Sequence, residues 1–294
     1  MTGRIKKHRS KRLGFLAIAF VLGLAVLLSV WPVPSTFAVS AQTESIHFTT
    51  GSNKVPDWQL KDVLVFEGPG PAPSRFSGRL SLAPGVDVEI ERTSGGPLRI
   101  ECRPYMAGVQ GGSGPTVDSQ PVAILSVADD EPVREIKKRL VMRVDDIDQR
   151  AKLGESLLLP VVGDVVLGGR GLQSAVLRSG VVVILGTTLL QRGLFEGGRA
   201  ALEVGDVFST PKSVGPAVGF VVADERVALT VSYRVVATEG EVRRFASQGY
   251  SIGLTPLARI KSDSVIQGVY LSAIFIFGVA RILAGRPERP GKEK

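Results

Sequence analysis

Residues 249–253 read GYSIG, the G-x-S-x-G spacing that in some hydrolases sets a nucleophilic serine on a sharp strand-to-helix turn. Such a serine needs a base, and in the hydrolases that carry this pattern the histidine follows it in the chain. No histidine follows Ser251: the two in the protein are His8 and His47. The surrounding FASQGYSIGLTP also lacks the strand and helix that build such an elbow, so Gly249 and Gly253 are expected to serve a turn between two strands. A Ser/Lys pair needs no histidine, but no spacing singles one out.

The other chemistry-bearing patterns are equally incomplete. GRGLQS (169–174) follows an apolar VVL as a dinucleotide fingerprint would, but Ser174 stands where the third small residue belongs and no acid ends the next apolar run. DDIDQR (145–150) offers three carboxylates, yet Arg150 and Ala151 stand where a calcium loop needs its glycine, which leaves a solvated acidic turn. One cysteine and two distant histidines cannot assemble a soft-metal cluster. Cys102 has no internal disulfide partner and is expected on the buried face of a strand, with pairing to another chain as the alternative. Glu89 and Glu91, at i and i+2, share one strand face as a glycosidase pair would, but that is also the wet face of an amphipathic strand. Aromatic platforms for glycans are scarce, Trp58 being the one tryptophan outside the apolar termini. The expectation is no catalytic residue, no cofactor and no metal.

The elements that must position any site are better marked. A net charge of +8 with a pI near 9.8 suggests a nucleic-acid binder until the charge is located. Residues 1–12 hold six Lys/Arg and no acid, and residues 281–294 hold five against two acids, so the ends carry +9 and the stretch 13–280 carries −1. No nucleic-acid partner is expected. Each basic tail adjoins an apolar run. Residues 13–31, LGFLAIAFVLGLAVLLSVW, contain no charge over about 28 Å of helix, close to the hydrocarbon thickness of a bilayer. Trp31 suits the interface, and Pro32 and Pro34 stop the helix. The alternative is a cleaved signal peptide, with VSA (39–41) as the cleavage signal.

The second run, 265–284, is VIQGVYLSAIFIFGVARILA, with Tyr270 placed for one interface and Arg281 for the other; a buried amphipathic helix is its alternative. Basic flanks stay on the cytoplasmic side, so both termini are expected in the cytoplasm, with the residues between the two helices outside. Small residues at four-residue spacing, Ala19 with Gly23 and Gly268 with Ser272, would let the two helices approach each other, or pair between chains in a homo-oligomer. The apolar stretches between 157 and 190 are too short to span and read as buried strands.

Between the helices the pattern is β. Phe76, Leu80 and Leu82 alternate with polar or glycine residues; Val86, Val88 and Ile90 alternate with acids; Leu98, Ile100 and Cys102 alternate with charges, with APG and TSGGP between them. Three hairpin-connected strands are expected, followed by strands at 122–127, 140–144, 157–167, 181–187, 217–223 and 227–237. The fold class is mainly β: a sandwich or barrel-like extracytoplasmic domain flanked by an N-terminal and a C-terminal transmembrane helix. QGGSGP (110–115) marks a break, so subdomains at 44–109 and 116–262 are as consistent as one domain. Asparagine occurs only at Asn53, and Arg is well ahead of Lys, which suits a GC-rich bacterial genome and an inner-membrane protein. The function expected is a membrane-anchored envelope protein whose β domain docks a protein partner without catalysis. Its rivals are a tethered hydrolase with an unrecognised site and a glycan- or wall-binding module.

Overall fold

A computed structural model describes residue 23 and residues 33–51, 55–66, 72–104, 122–126, 134–168, 176–190, 192–224, 227–244 and 247–284. The fold is mainly β. Contacts divide the chain into two compact units, one of Val33–Leu185 with Gly198–Gly253, the other containing Gly186–Gly197 and the residues from Leu254 onward. The tails 1–12 and 285–294, the run 13–31 apart from Gly23, and the motifs QGGSGP and GRGLQS lie outside the described residues.

In the first unit the chain forms β1 (Ser35–Thr43), β2 (Ser45–Thr50), β3 (Asp57–Phe66), β4 (Ser74–Leu82), β5 (Val86–Glu91), β6 (Leu98–Pro104), β7 (Ala123–Ser126), β8 (Arg134–Ile136) and β9 (Leu140–Val144). From β2 onward these pair antiparallel in the spatial order β2–β5–β6–β9–β3–β4–β7–β8. The alternation read from the sequence is the reason. Val88, Ile90, Ile100, Cys102, Leu140 and Met142 all turn inward and are buried, as are Ile46, Phe48, Trp58, Leu60 and Leu80 from the neighbouring strands. Each such burial is worth about 1.5–3 kcal/mol before entropy is counted.

One expected hairpin is absent. β5 and β6 do form one across Thr93–Pro97, but β4 pairs with β3 and β7 while β5 pairs with β2. The turn Ala83–Pro84–Gly85 is held from outside: the Thr50 hydroxyl donates to the Ala83 carbonyl at 2.7 Å and accepts from the Val86 amide at 2.7 Å. With its polar groups satisfied by β2, the turn no longer needs its flanking strands to pair with each other.

The chain continues through the short helix α1 (Ile147–Lys152) to β10 (Leu157–Leu167), β11 (Leu177–Thr187), β12 (Leu194–Leu202), β13 (Val207–Ser209), β14 (Ala217–Ala223), β15 (Leu229–Ala237), β16 (Gly240–Arg244) and β17 (Ser247–Ile252). A second series runs β11–β1–β15–β14–β10, with β1 paired on both sides. Val39 to Ala41, the alternative cleavage signal, therefore lie mid-strand between β11 and β15; cleavage after Ala41 would remove most of β1. β10 joins the two series, its first half pairing with β14 and its second half with β2. The change comes at Gly163, which is in register with both Ala217 and Thr50 at φ 153°; a Cβ there would sit 1.9 Å from the Thr49 carbonyl oxygen. Only glycine permits that approach. Trp58 secures the joint by donating Nε1–H to the Pro160 carbonyl at 2.8 Å.

In the second unit, Leu254 is buried against the β11–β12 hairpin: a Cβ at Gly186 would meet it at 2.5 Å and one at Gly197 at 2.2 Å. A short helix and a long one follow. Thr255 caps α2 (Pro256–Ser262) by accepting from the Ala258 amide, with Pro256 opening the helix. α3 (Ser264–Ala284) begins after the single residue Asp263.

Candidate functional site

The break between α2 and α3 is built around one carboxylate. Asp263 is buried, and its Oδ1 accepts from the amides of Val265 at 3.0 Å and Ile266 at 3.4 Å, which caps α3. Its Oδ2 accepts from the Leu190 amide at 2.7 Å, tying the tip of the β11–β12 hairpin to the base of the helix. That tip is closed by Thr188, whose amide donates to the Gly193 carbonyl at 2.9 Å and whose hydroxyl accepts from the Gly193 amide at 3.0 Å. At this tip Leu189, Leu190 and Leu194 are 50%, 63% and 75% exposed. The expected strand 181–187 ends where β11 ends, at Thr187, and begins four residues later than β11 does; of the apolar stretch that continues to Leu190, the last two residues are not buried.

α3 itself packs little of its surface. Val269, Leu271, Ile274, Phe275, Ile276 and Phe277, which at 3.6 residues per turn point to every side of the helix, are all at least half exposed. Over the described residues no single helix is long and apolar enough to cross a membrane, whereas Pro256–Ser262 and Ser264–Val279, bent by 72°, meet both criteria as a pair. Tyr270 and Arg281 lie exposed on α3, near its start and in its last turn. Gly268 and Ser272 share a stripe; the Ser272 hydroxyl donates to the Gly268 carbonyl at 2.8 Å, and a Cβ at Gly268 or at Gly23 would meet nothing within 4 Å. Ala19 and Trp31 lie outside the described residues.

The first unit carries two contrasting surfaces. On the series β10–β14–β15–β1–β11 the registers align Pro160, Phe220, Ser232, Ser40 and Val181 across one outer row, and Val162, Val218, Arg234, Ala38 and Val183 across the next. Leu158, Val218, Phe220 and Val181 are exposed. Beside them a groove of about 670 Å³ has a floor of small residues, Ala38, Ser40, Ser179 and Ser232, with Arg199 and Arg234 at its sides. Beneath it, the buried Tyr233 hydroxyl has no hydrogen-bond partner among the described residues, and burial pushes the phenol far above its usual range.

On β2–β5–β6–β9 the outer face is charged. Glu89 stands directly opposite Glu101, which is only 3% exposed. Arg99 holds Glu101 at 2.9 Å, and Arg103 and Arg139 grip it more closely. Burial raises its affinity for a proton, but the hydrogen bonds and charges of Arg103 and Arg139 outweigh that and bring the carboxyl down to about 2. Glu91 and Arg99 line a groove of about 490 Å³ with Phe66, Pro97, Val141 and Arg143. His47 lies 2.5 Å from Asp87 on this face, close but without a well-directed hydrogen bond at either ring nitrogen.

The sequence motifs resolve into structural roles. Gly249 to Ile252 of GYSIG lie in β17, not in a turn, and Gly253 follows the strand: Ser251 is opposite Glu241, and its hydroxyl bonds the Glu239 carboxylate. Gly249 is required because a Cβ there would meet the Val242 carbonyl at 2.6 Å. DDIDQR is solvated, with Asp145 and Asp148 41% and 54% exposed, but it opens α1 instead of forming a turn, and Asp148 accepts from the fully buried Arg92 at 2.7 Å. Among the described residues no group of three metal-ligating side chains forms. Trp58 is buried edge-on to Phe48, with 6.4 Å between ring centroids, and offers no platform. Cys102 is buried on the inner strand face, where burial and then the charge of Glu101 push its thiol far up.

No protein-family model, curated protein or solved structure matches this chain.

Sequence reasoning missed three groups. Asp263 was legible as an N-cap, an Asp-Ser pair just before an apolar run. Leu189 and Leu190 precede Gln-Arg-Gly, a turn signal that ends the strand before them. Glu101 sits between Arg99 and Arg103 at i±2, so all three share a strand face.

Proposed function

We propose that this chain is a membrane-anchored, non-enzymatic protein of a bacterial envelope, whose extracytoplasmic β unit docks a protein partner. The observation that carries the reading is α3, apolar on every side and uncovered. Such a helix belongs in a protein core or in a bilayer, and α2 and α3 taken together across their bend have the length and hydropathy of a span. In this reading α2 lies along the interface and α3 turns through the 72° bend into the lipid, with Tyr270 and Arg281 toward opposite interfaces. The run 13–31 is the second, N-terminal span, and both basic tails are cytoplasmic. The β unit, sandwich- or barrel-like around Phe48 and Trp58, faces the other compartment.

The partner docks on the face that exposes Leu158, Val218 and Phe220 beside the small-residue groove, since contiguous apolar surface on a sheet is a mark of protein contact. Reporter fusions active only outside the cytoplasm test the anchor. A signal after residue 150 with none at the C-terminus is expected, and the reverse pattern ends the reading. Docking is tested by a photo-crosslinking amino acid at Phe220 in native membranes, with one at Glu89 as the control. A discrete adduct from position 220 alone, abolished by Val218→Asp, is expected; equal or absent adducts at both positions remove this face from consideration.

A further inference from the structure

We infer that the tip of the β11–β12 hairpin is a second lipid-contacting element, seated in the headgroup and upper acyl region beside the point where α3 enters the membrane; this rests on the anchor reading above. Three observations converge on it. Leu189, Leu190 and Leu194 are among the more exposed leucines of the described residues; the first two stand in the hairpin loop and the third opens β12, directly beyond the Thr188–Gly193 closure. The loop is fixed to the helix entry point, since the Leu190 amide and the first-turn amides of α3 share the carboxylate of Asp263. Basic residues flank the leucines: Arg192 on the loop and Lys261 at the end of α2 are both exposed.

Apolar side chains at interfacial depth with cations at headgroup level are the composition of an element that lies in a membrane surface rather than across it. The occupant is therefore lipid, with anionic headgroups opposite the two cations. A protein would need a complementary surface, whereas a bilayer whose surface stands at the base of α3 already reaches the loop. Asp263 adds the mechanical consequence: it couples the loop to the helix, so the two lipid-contacting elements of this unit are held together at their base.

The test uses full-length protein reconstituted in vesicles of phosphatidylcholine with phosphatidylglycerol. Single cysteines, Leu190→Cys, Leu194→Cys, Ile274→Cys and Leu153→Cys in a Cys102→Ala background, carry an environment-sensitive nitrobenzoxadiazole label. Lipids with a doxyl quencher near the headgroup or near the chain end report depth. Labels at 190 and 194 are expected to be blue-shifted and quenched about twofold more by the shallow lipid than by the deep one, the label at 274 more by the deep lipid, and the label at 153 by neither. If 274 is quenched while 190 and 194 behave like 153, the tip is in water and this inference falls while the anchor stands. If 274 is also unquenched, the anchor reading falls and takes the inference with it.

Discussion

Two outward strand faces of the same unit are built from the same alternation and come to opposite ends. On β2–β5–β6–β9 the outward residues are acids and arginines in direct register, Glu89 against Glu101 and Arg99 against Arg143. Like charges opposite each other are unfavourable; the face is stable because each acid is within reach of a guanidinium, so it satisfies itself. On β10–β14–β15–β1–β11 the outward rows are apolar or small apart from Arg234, and exposed Val218 and Phe220 stand among them. Alternation therefore tells which residues leave the core, and the chemistry of those residues tells whether the face is finished or awaits something.

The sharpest way to break this comparison is at Glu101. Glu101→Gln leaves three guanidinium groups around a neutral amide, and a loss of about 3 kcal/mol in the urea unfolding free energy at neutral pH is expected. Because the folded-state carboxyl titrates near 2 against an ordinary 4.5, the stability it contributes is present above about pH 4.5 and is lost as pH falls toward 2. The gap between wild type and variant should close over that window. A gap that persists at pH 2 would mean that the packing of the side chain, not its charge, was being measured.

A smaller effect of opposite sign is expected beneath the apolar face. Tyr233→Phe removes a buried hydroxyl without a partner, so a gain of about 1 kcal/mol is predicted. A loss of that size would show that the hydroxyl is satisfied, and the face above it would then lie over a hydrated pocket.

The smallest effect sharpens the contrast within the charged face itself. Glu89, directly opposite Glu101, is 46% exposed, and its nearest arginine contact, with Arg103, is at 3.7 Å. Glu89→Gln should change stability by less than about 0.5 kcal/mol. A larger loss would mean that the arginines are shared more evenly between the two acids than the geometry indicates.

Much of the architecture was legible because burial writes itself into period and length. The strands at 157–167 and 217–223 were found with their ends, and the inward position of Cys102 followed from its neighbours. β1 was not read as a strand, since its outward positions are small, alanine and serine as well as polar, and its Val-Ser-Ala imitates a processing signal. The placement of the candidate sites was less legible still. Leu189 and Leu190 look like the end of a buried run until β11 is found to end at Thr187 and leave both exposed. Gly249 and Gly253 look like a turn between two strands until Gly249 to Ile252 are found paired along β16.

Taken alone, the sequence determined the class of the elements: the strands around Phe76 to Cys102, the apolar helix that ends in Arg281, and the two basic tails. These are local properties, set by side-chain period, chain charge and backbone stiffness. Which strands pair was decided only in three dimensions, because an antiparallel ladder accepts any neighbour with a matching buried face, and the choice fell to contacts such as Thr50 with the Ala83–Gly85 turn and Gly163 with the Thr49 carbonyl. The coupling of Asp263 to Leu190 was decided there as well. It joins residues 73 positions apart, and a hydrogen bond across that separation forms only once the rest of the chain has brought its two ends together.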